Sequence, residues 1–250
     1  MCSSDLGSFQ NGTDMMAERD TRTIRLIGQN AFDVLQQSRV AVFGVGGVGG
    51  PAAEALARSG IGAIDLIDRD VVEESNINRQ IVADYESIGR KKVQVMQEKI
   101  SRINPDCCVH TYDLFYLPET ADQIDLNSYD YIVDAIDTVT AKIELITRAV
   151  ACSLPVISSM GAGNRLQGSA LKVMDLSQTS IDPLAKVMRR ELGKRGIKNL
   201  KVVCSGETPL RPAAKDSEEA RTPGTVSFVP PVAGYLMAGE VVMDLIRYQA

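Results

Sequence analysis

Short apolar runs alternate along most of the chain with stretches of helical pattern. Val40-Ala41-Val42-Phe43 is the first such run; it ends in Gly44-Val45-Gly46-Gly47-Val48-Gly49 and is followed by an alanine-rich helical stretch over 51–58. That order reads as strand, tight turn, helix. A second strand is expected over 63–67, ending at Asp68, and a helix over about 91–103 leads through Asn104-Pro105 to a third strand near 107–112. A buried strand over 129–135, a helix over 142–152 and a strand over 155–159 repeat the unit. Alternation of this kind predicts an α/β domain with a mainly parallel sheet and helices on both faces. After position 160 the alternation weakens. A strand is expected over 168–174, a helix rich in basic residues over 183–192, a mobile Pro-containing loop over 206–224 and a closing apolar helix over 232–246. Residues 1–14 are polar and aperiodic and read as a disordered or artefactual tail. The expected organisation is thus one domain over 15–250, with a core at about 20–175 and a substrate-facing part at 176–250.

Composition narrows the class. The chain has 250 residues, 44% hydrophobic and 24% charged, enough to bury a full core. A net charge of -5 argues against attraction of nucleic acid over the whole surface and leaves a local basic patch open. Five cysteines, without a Cys-x-x-Cys pair, and a single histidine, His110, give no zinc set and fit a reducing cytoplasm. No run approaches the roughly 20 apolar residues of a membrane span.

The chemistry starts at Gly44-x-Gly46-x-x-Gly49. Between a strand and a helix, these glycines let the backbone approach phosphate at the positive end of the helix. Asp68 follows at about the 20-residue distance expected of a carboxylate that binds ribose hydroxyls. Alone, these features fit a dinucleotide enzyme about as well as an ATP enzyme. The next segment, Asp68-Arg69-Asp70 through Asn76-Ile77-Asn78-Arg79-Gln80, sets polar and cationic groups where a triphosphate could be held, and arginine offers phosphate a fork of donors. Lys92, at the start of the following helix, could add a point charge. Asp137, at the end of a strand, stands where open α/β sheets bind ligands and is a candidate Mg²⁺ ligand.

Taken in order, Arg22-x-x-Arg25, the glycine turn, Asp68-x-Asp70, Ser75-Asn76-x-Asn78-Arg79-Gln80, Gly89-Arg90-Lys91-Lys92 and Asp134-Ala135-Ile136-Asp137 resemble the signature of the ubiquitin-activating-enzyme-like superfamily, which includes the activators of thiamine and molybdopterin sulfur carriers. The match covers about residues 20–175. It implies a Rossmann-like α/β fold, a mainly parallel sheet flanked by helices with a C-terminal extension that continues the sheet. It also implies ATP and Mg²⁺ as cofactors and formation of an acyl-adenylate. By this resemblance Arg25, Arg79, Lys92 and Asp137 are catalytic. Gly44, Gly46, Gly47, Gly49, Asp68, Asp70, Asn76, Asn78, Arg79 and Lys92 bind the nucleotide, and Asp137 holds the metal. A homodimer follows too, with Arg25 reaching the neighbouring protomer's site.

Finer features are similar to the branch that dehydrates threonylcarbamoyladenosine in tRNA: Arg25-Leu26-Ile27-Gly28, the run from Ala53 to Gly62, Asn104-Pro105, Gly161-Ala162-Gly163-Asn164 and Asp182-Pro183-Leu184. The implied reaction is adenylation of the threonyl carboxylate and intramolecular ring closure, with release of AMP and pyrophosphate; the alternative is adenylation of the C-terminal glycine of a ubiquitin-like sulfur carrier. A tRNA substrate agrees with the basic cluster Lys186, Arg189, Arg190, Lys194, Arg195, Lys198 and Lys201, interrupted by one acid, Glu191. Cys204 is the best placed thiol for a thioester or a sulfur-transfer partner protein, against the plainer reading of a small core residue. Cys107, Cys108 and Cys152 are expected to pack in the core, and His110 to be structural.

Overall fold

The computed structural model describes residues 18–210 and 223–248. The tail read at 1–14 and most of the loop read at 206–224 therefore lie outside the described residues. Two short helices, α1 (Thr21–Ile27) and α2 (Gln29–Gln37), precede strand β1 (Arg39–Phe43). Then come α3 (Gly49–Arg58), β2 (Ala63–Ile67), α4 (Lys92–Ile103), β3 (Cys108–Tyr112), β4 (Tyr131–Asp134), α5 (Val139–Ala151) and β5 (Val156–Ser159). The remainder is β6 (Leu171–Asp175), α6 (Pro183–Gly193), β7 (Lys201–Ser205) and α7 (Val229–Leu245).

The seven strands form one sheet in the order β3-β2-β1-β4-β5-β7-β6, parallel except for the β6–β7 pair. Strand β1 explains the apolar runs. Val40 and Val42 point into the layer shared with α3, α4 and α7, whereas Ala41 and Phe43 point into the layer shared with α5 and α6. All four are fully buried, so a strand covered on both faces reads as continuous apolar sequence. Helix α7 is mostly apolar and packs closely on the start of α3, where a methyl added at Gly234 would stand 2.2 Å from the Val48 carbonyl oxygen.

The chain runs from β1 outward to β2 and β3, then returns to place β4 on the other side of β1. The reversal leaves a crevice at the carboxyl ends of β1 and β4, the usual ligand position in open α/β sheets. One strand is missing from the sequence reading. Lys201–Ser205, to which the sequence pattern assigned no element, is strand β7, inserted between β5 and β6. The extension continues the sheet as expected, through two strands rather than one.

Candidate active site

The turn after β1 is shaped by two close approaches. Gly44 has φ +88, and a Cβ there would sit 2.7 Å from the Ala135 carbonyl oxygen; at Gly49 it would sit 1.8 Å from the Gly44 carbonyl oxygen. Any side chain at either position would push the turn off the β4 end. Asp68 closes the turn from the β2 side: its carboxylate accepts the Val45 N–H at 2.7 Å and the Asp70 N–H at 2.8 Å. Burial raises the Asp68 carboxyl above the usual carboxylate range, against the pull of the two backbone donors and Lys92.

A cavity of about 510 Å³ opens over this turn. Gly44, Gly46, Gly47, Asp68, Asp70, Arg79, Lys92 and Asp137 all line it, so eight of the residues expected from the sequence converge. A second, polar cavity of about 420 Å³ shares Arg69, Asp70, Arg79, Gln80, Lys92 and Asp137 with the first and adds Asn76. Gly49 is the first residue of α3 and packs against the turn. Asn78 lines neither cavity; it accepts from Arg79 at 2.8 Å and donates to the Thr225 carbonyl at 3.2 Å. Arg25 is exposed in the last turn of α1 and lines neither cavity of its own chain.

The cations are held in different ways. Lys92 is 6% exposed, and its ammonium lies 2.9 Å from an Asp70 carboxylate oxygen that is itself largely in solvent. Asp70, expected among the nucleotide ligands, is thus the counter-ion of Lys92 in this structure. Arg79 donates to the Ser75 carbonyl at 2.9 Å as well as to Asn78, which leaves the rest of its fork for the cavity it lines. Arg69 lies over the Phe115 ring at 4.0 Å, a cation–π contact at the β2–β3 side of the cavity.

Gln80, named only as part of the polar segment, and the buried pairs Lys142–Asp134 and Arg165–Asp182 have roles that only the fold brings out. Gln80 is buried, lines both cavities and has a side-chain oxygen without a partner among the described residues. Lys142, read only as the start of a helix, is fully buried 2.9 Å from the equally buried Asp134. Lys142 also donates to the Ile136 carbonyl, and Asp134 accepts from Ser158 and from the Ile136 N–H. This network fixes the loop that carries the exposed Asp137. Arg165 and Asp182 form another buried pair at 2.7 Å, behind the 159–163 wall of the cavity. A polar residue every few positions in such segments reads as solvated until its distant partner is known.

Residues 18–249 match the ThiF family model. The chain belongs to the ThiF family. It is 41% identical over 244 residues to the tRNA threonylcarbamoyladenosine dehydratase of Bacillus subtilis (strain 168), covering 93% of this chain and 96% of that one. It is 42% identical over 180 residues to the Escherichia coli protein of the same name, covering 72% and 67%. The crystal structure of the E. coli dehydratase in complex with AMP superposes with a TM-score of 0.86 at 34% identity, over 94% of this chain and 96% of that one; its complex with ATP gives 0.85.

For this ThiF-family chain the structure favours the plainer reading of Cys204, a core residue, and corrects the reading of Cys152. Cys204 lies on β7, 2% exposed, and burial and the nearby Asp182 push its thiol up to about 11. A protonated core thiol is a poor nucleophile. Cys204→Ala is therefore expected to leave AMP formation unchanged and to cost about 1 kcal/mol of stability, as a lost buried group does; an activity assay alongside urea denaturation checks both. Cys152, expected in the core, is exposed just beyond the end of α5. Cys107 is buried as expected, and Cys108 is half-buried with its sulfur 3.6 Å from His110 Nε2.

Much of the basic cluster makes contacts within the chain, although three of its cations share a single carboxylate. Arg190, Lys194 and Arg195 all pair with Glu191, and Lys201 pairs with Glu240 and Asp244. Arg189 donates to the Thr179 carbonyl. Lys186 and Lys198 are exposed. Among the described residues no helix is long and apolar enough to cross a membrane.

Proposed function

We propose that this protein uses ATP to dehydrate threonylcarbamoyladenosine in tRNA to its cyclic form. The observation that carries the reading is the meeting of Arg79, Lys92 and Asp137 over the glycine turn, in a chain alike over nearly its whole length to a named dehydratase. A carboxylate and a triphosphate repel one another. The turn supplies backbone N–H groups and a helix start, and Lys92 and Arg79 supply the charge that offsets the repulsion.

The threonyl carboxylate oxygen forms a bond to the α-phosphorus as the bond to pyrophosphate breaks. A heteroatom of the carbamoyl group then attacks the adenylated carbonyl, a carbamoyl nitrogen gives up a proton, and AMP leaves with the electron pair of the bond that breaks. The nucleoside is lighter by one water. Because nucleophile and electrophile belong to one side chain, positioning supplies much of the acceleration and no protein nucleophile is needed, in keeping with a buried Cys204.

Mg²⁺ suits the donor set: Asp137 offers one exposed carboxylate oxygen pair, and this metal is commonly held by one or two carboxylates with substrate phosphates. When bound, it lowers the charge of the phosphates. A homodimer belongs to the same reading. Arg25 is exposed beside Leu26, which is 87% exposed, and a partner would cover both and receive the arginine. The tRNA substrate implies a cytoplasmic enzyme, and no sulfur-transfer partner protein is required.

Incubation with ATP, Mg²⁺ and tRNA carrying the modification should release AMP and pyrophosphate; tRNA lacking it should not. Release of AMP only with a small protein ending in Gly-Gly would replace this reading with that of a sulfur-carrier activator.

A further inference from the structure

The adenylation chemistry leaves one wall of the cavity without a role. Away from the β2 side, where Asp68 and Arg69 stand, the lining consists of residues 159–163 after β5, Leu184 at the start of α6, and Pro223 and Thr225. With phosphates on the glycine turn and a ribose toward Asp68, the β5 side is the part of the lining left for an incoming carboxylate.

Asn164 organises this wall. It is one of few non-glycine residues in the left-handed region, with φ 57. Its N–H donates to the Gly224 carbonyl at 2.7 Å, its carbonyl accepts the Leu210 N–H at 2.8 Å, and its side-chain Oδ1 accepts the Gly224 N–H at 2.8 Å. One residue thereby holds the chain both where it leaves β7 and where it returns to the cavity. The contact is tight: a methyl at Gly163 would stand 2.7 Å from Pro223 Cβ.

Both partners of the clasp are braced. Arg165 donates to the Gly161 carbonyl at 3.1 Å and pairs with the buried Asp182, and Glu207 accepts the N–H groups of Leu166 and Gln167. Asn78 donates to the Thr225 carbonyl from the nucleotide side. Residues 223–225 are therefore set between Asn78, which follows the nucleotide machinery, and Asn164, which belongs to the acceptor wall.

We propose that Asn164 is a positioning residue that sets residues 223–225 as the acceptor-side wall, and so determines how the tRNA-borne carboxylate is seated without contributing to ATP binding. This rests on the function proposed above. Two variants separate the side-chain bond from the backbone conformation. N164G retains the left-handed turn without strain and removes Oδ1; N164D retains Oδ1 and the tolerance of positive φ.

Initial rates with modified tRNA, ATP affinity by calorimetry and thermal midpoints are to be measured for the wild type and both variants. N164G is expected to raise KM for modified tRNA about tenfold, the scale of one lost hydrogen bond in a fitted site, with kcat, ATP affinity and thermal midpoint little changed. N164D should recover most of the loss. An N164G enzyme with wild-type KM, one that loses ATP affinity as much as tRNA affinity, or an N164D enzyme no better than N164G would overturn the proposal. A wild-type enzyme inactive on modified tRNA would overturn the function proposed above and this inference with it, which keeps the two failures apart.

Discussion

Lys92→Met should lower AMP formation by about 10²–10³-fold and leave the fold nearly untouched. The size follows from the loss of one pre-placed charge facing a transferring phosphoryl group in a site sheltered from water. The second half of the expectation follows from burial. Methionine fills much the same volume, and the carboxylate left behind, on Asp70, is largely in solvent and needs no protein partner. Stopped assays of AMP release combined with a thermal melt check it. If Lys92→Met unfolded the protein or retained full turnover, Lys92 would be part of the scaffold rather than of the phosphate site.

Lys142→Met should have the opposite profile. Lys142 and Asp134 are both fully buried, so removal of the ammonium leaves a carboxylate in the core with only Ser158 and the Ile136 N–H to satisfy it. Breaking a buried pair from one side costs about 3–5 kcal/mol, which for a chain of this length lowers the thermal midpoint by on the order of 10 °C. Activity should fall as well, because the Ile136 carbonyl loses the donor that holds the loop before Asp137. Pairing the change with Asp134→Asn removes the stranded charge and should restore most of the stability. A single variant as stable as the wild type would show that the pair does not brace the loop, and a double variant no more stable than the single would show that charge is not the cause.

These two lysines also show how far the sequence could be read. Lys92 was legible because it sits at the start of a helix, after a polar segment whose order of Asn, Arg and Gln points to a triphosphate. Lys142 was not. Its partner is on another element, and a lysine on a helix reads as solvated until the fold buries it. Arg165 and Asp182 were hidden for the same reason. The β1 turn and α3 were legible because a strand covered on both faces leaves an unbroken apolar run and its glycines mark the close approach to β4. Strand β7 was obscured: Val202-Val203-Cys204 is a short run between a basic stretch and a Pro-containing one, and only the pairing with β5 and β6 makes it a strand. Asp70 lines the cavity as the sequence led one to expect, but its contact with Lys92 depends on how residues 69–72 fold back along the start of α4, where Val71 bridges to Lys91.

The most direct test is mass spectrometry of nucleosides from tRNA bearing threonylcarbamoyladenosine after incubation with the protein, ATP and Mg²⁺. The account predicts loss of one water from that nucleoside, matched mole for mole by AMP and abolished without ATP. An unchanged nucleoside mass, or a dehydrated nucleoside accompanied by ADP and phosphate instead of AMP, would contradict it.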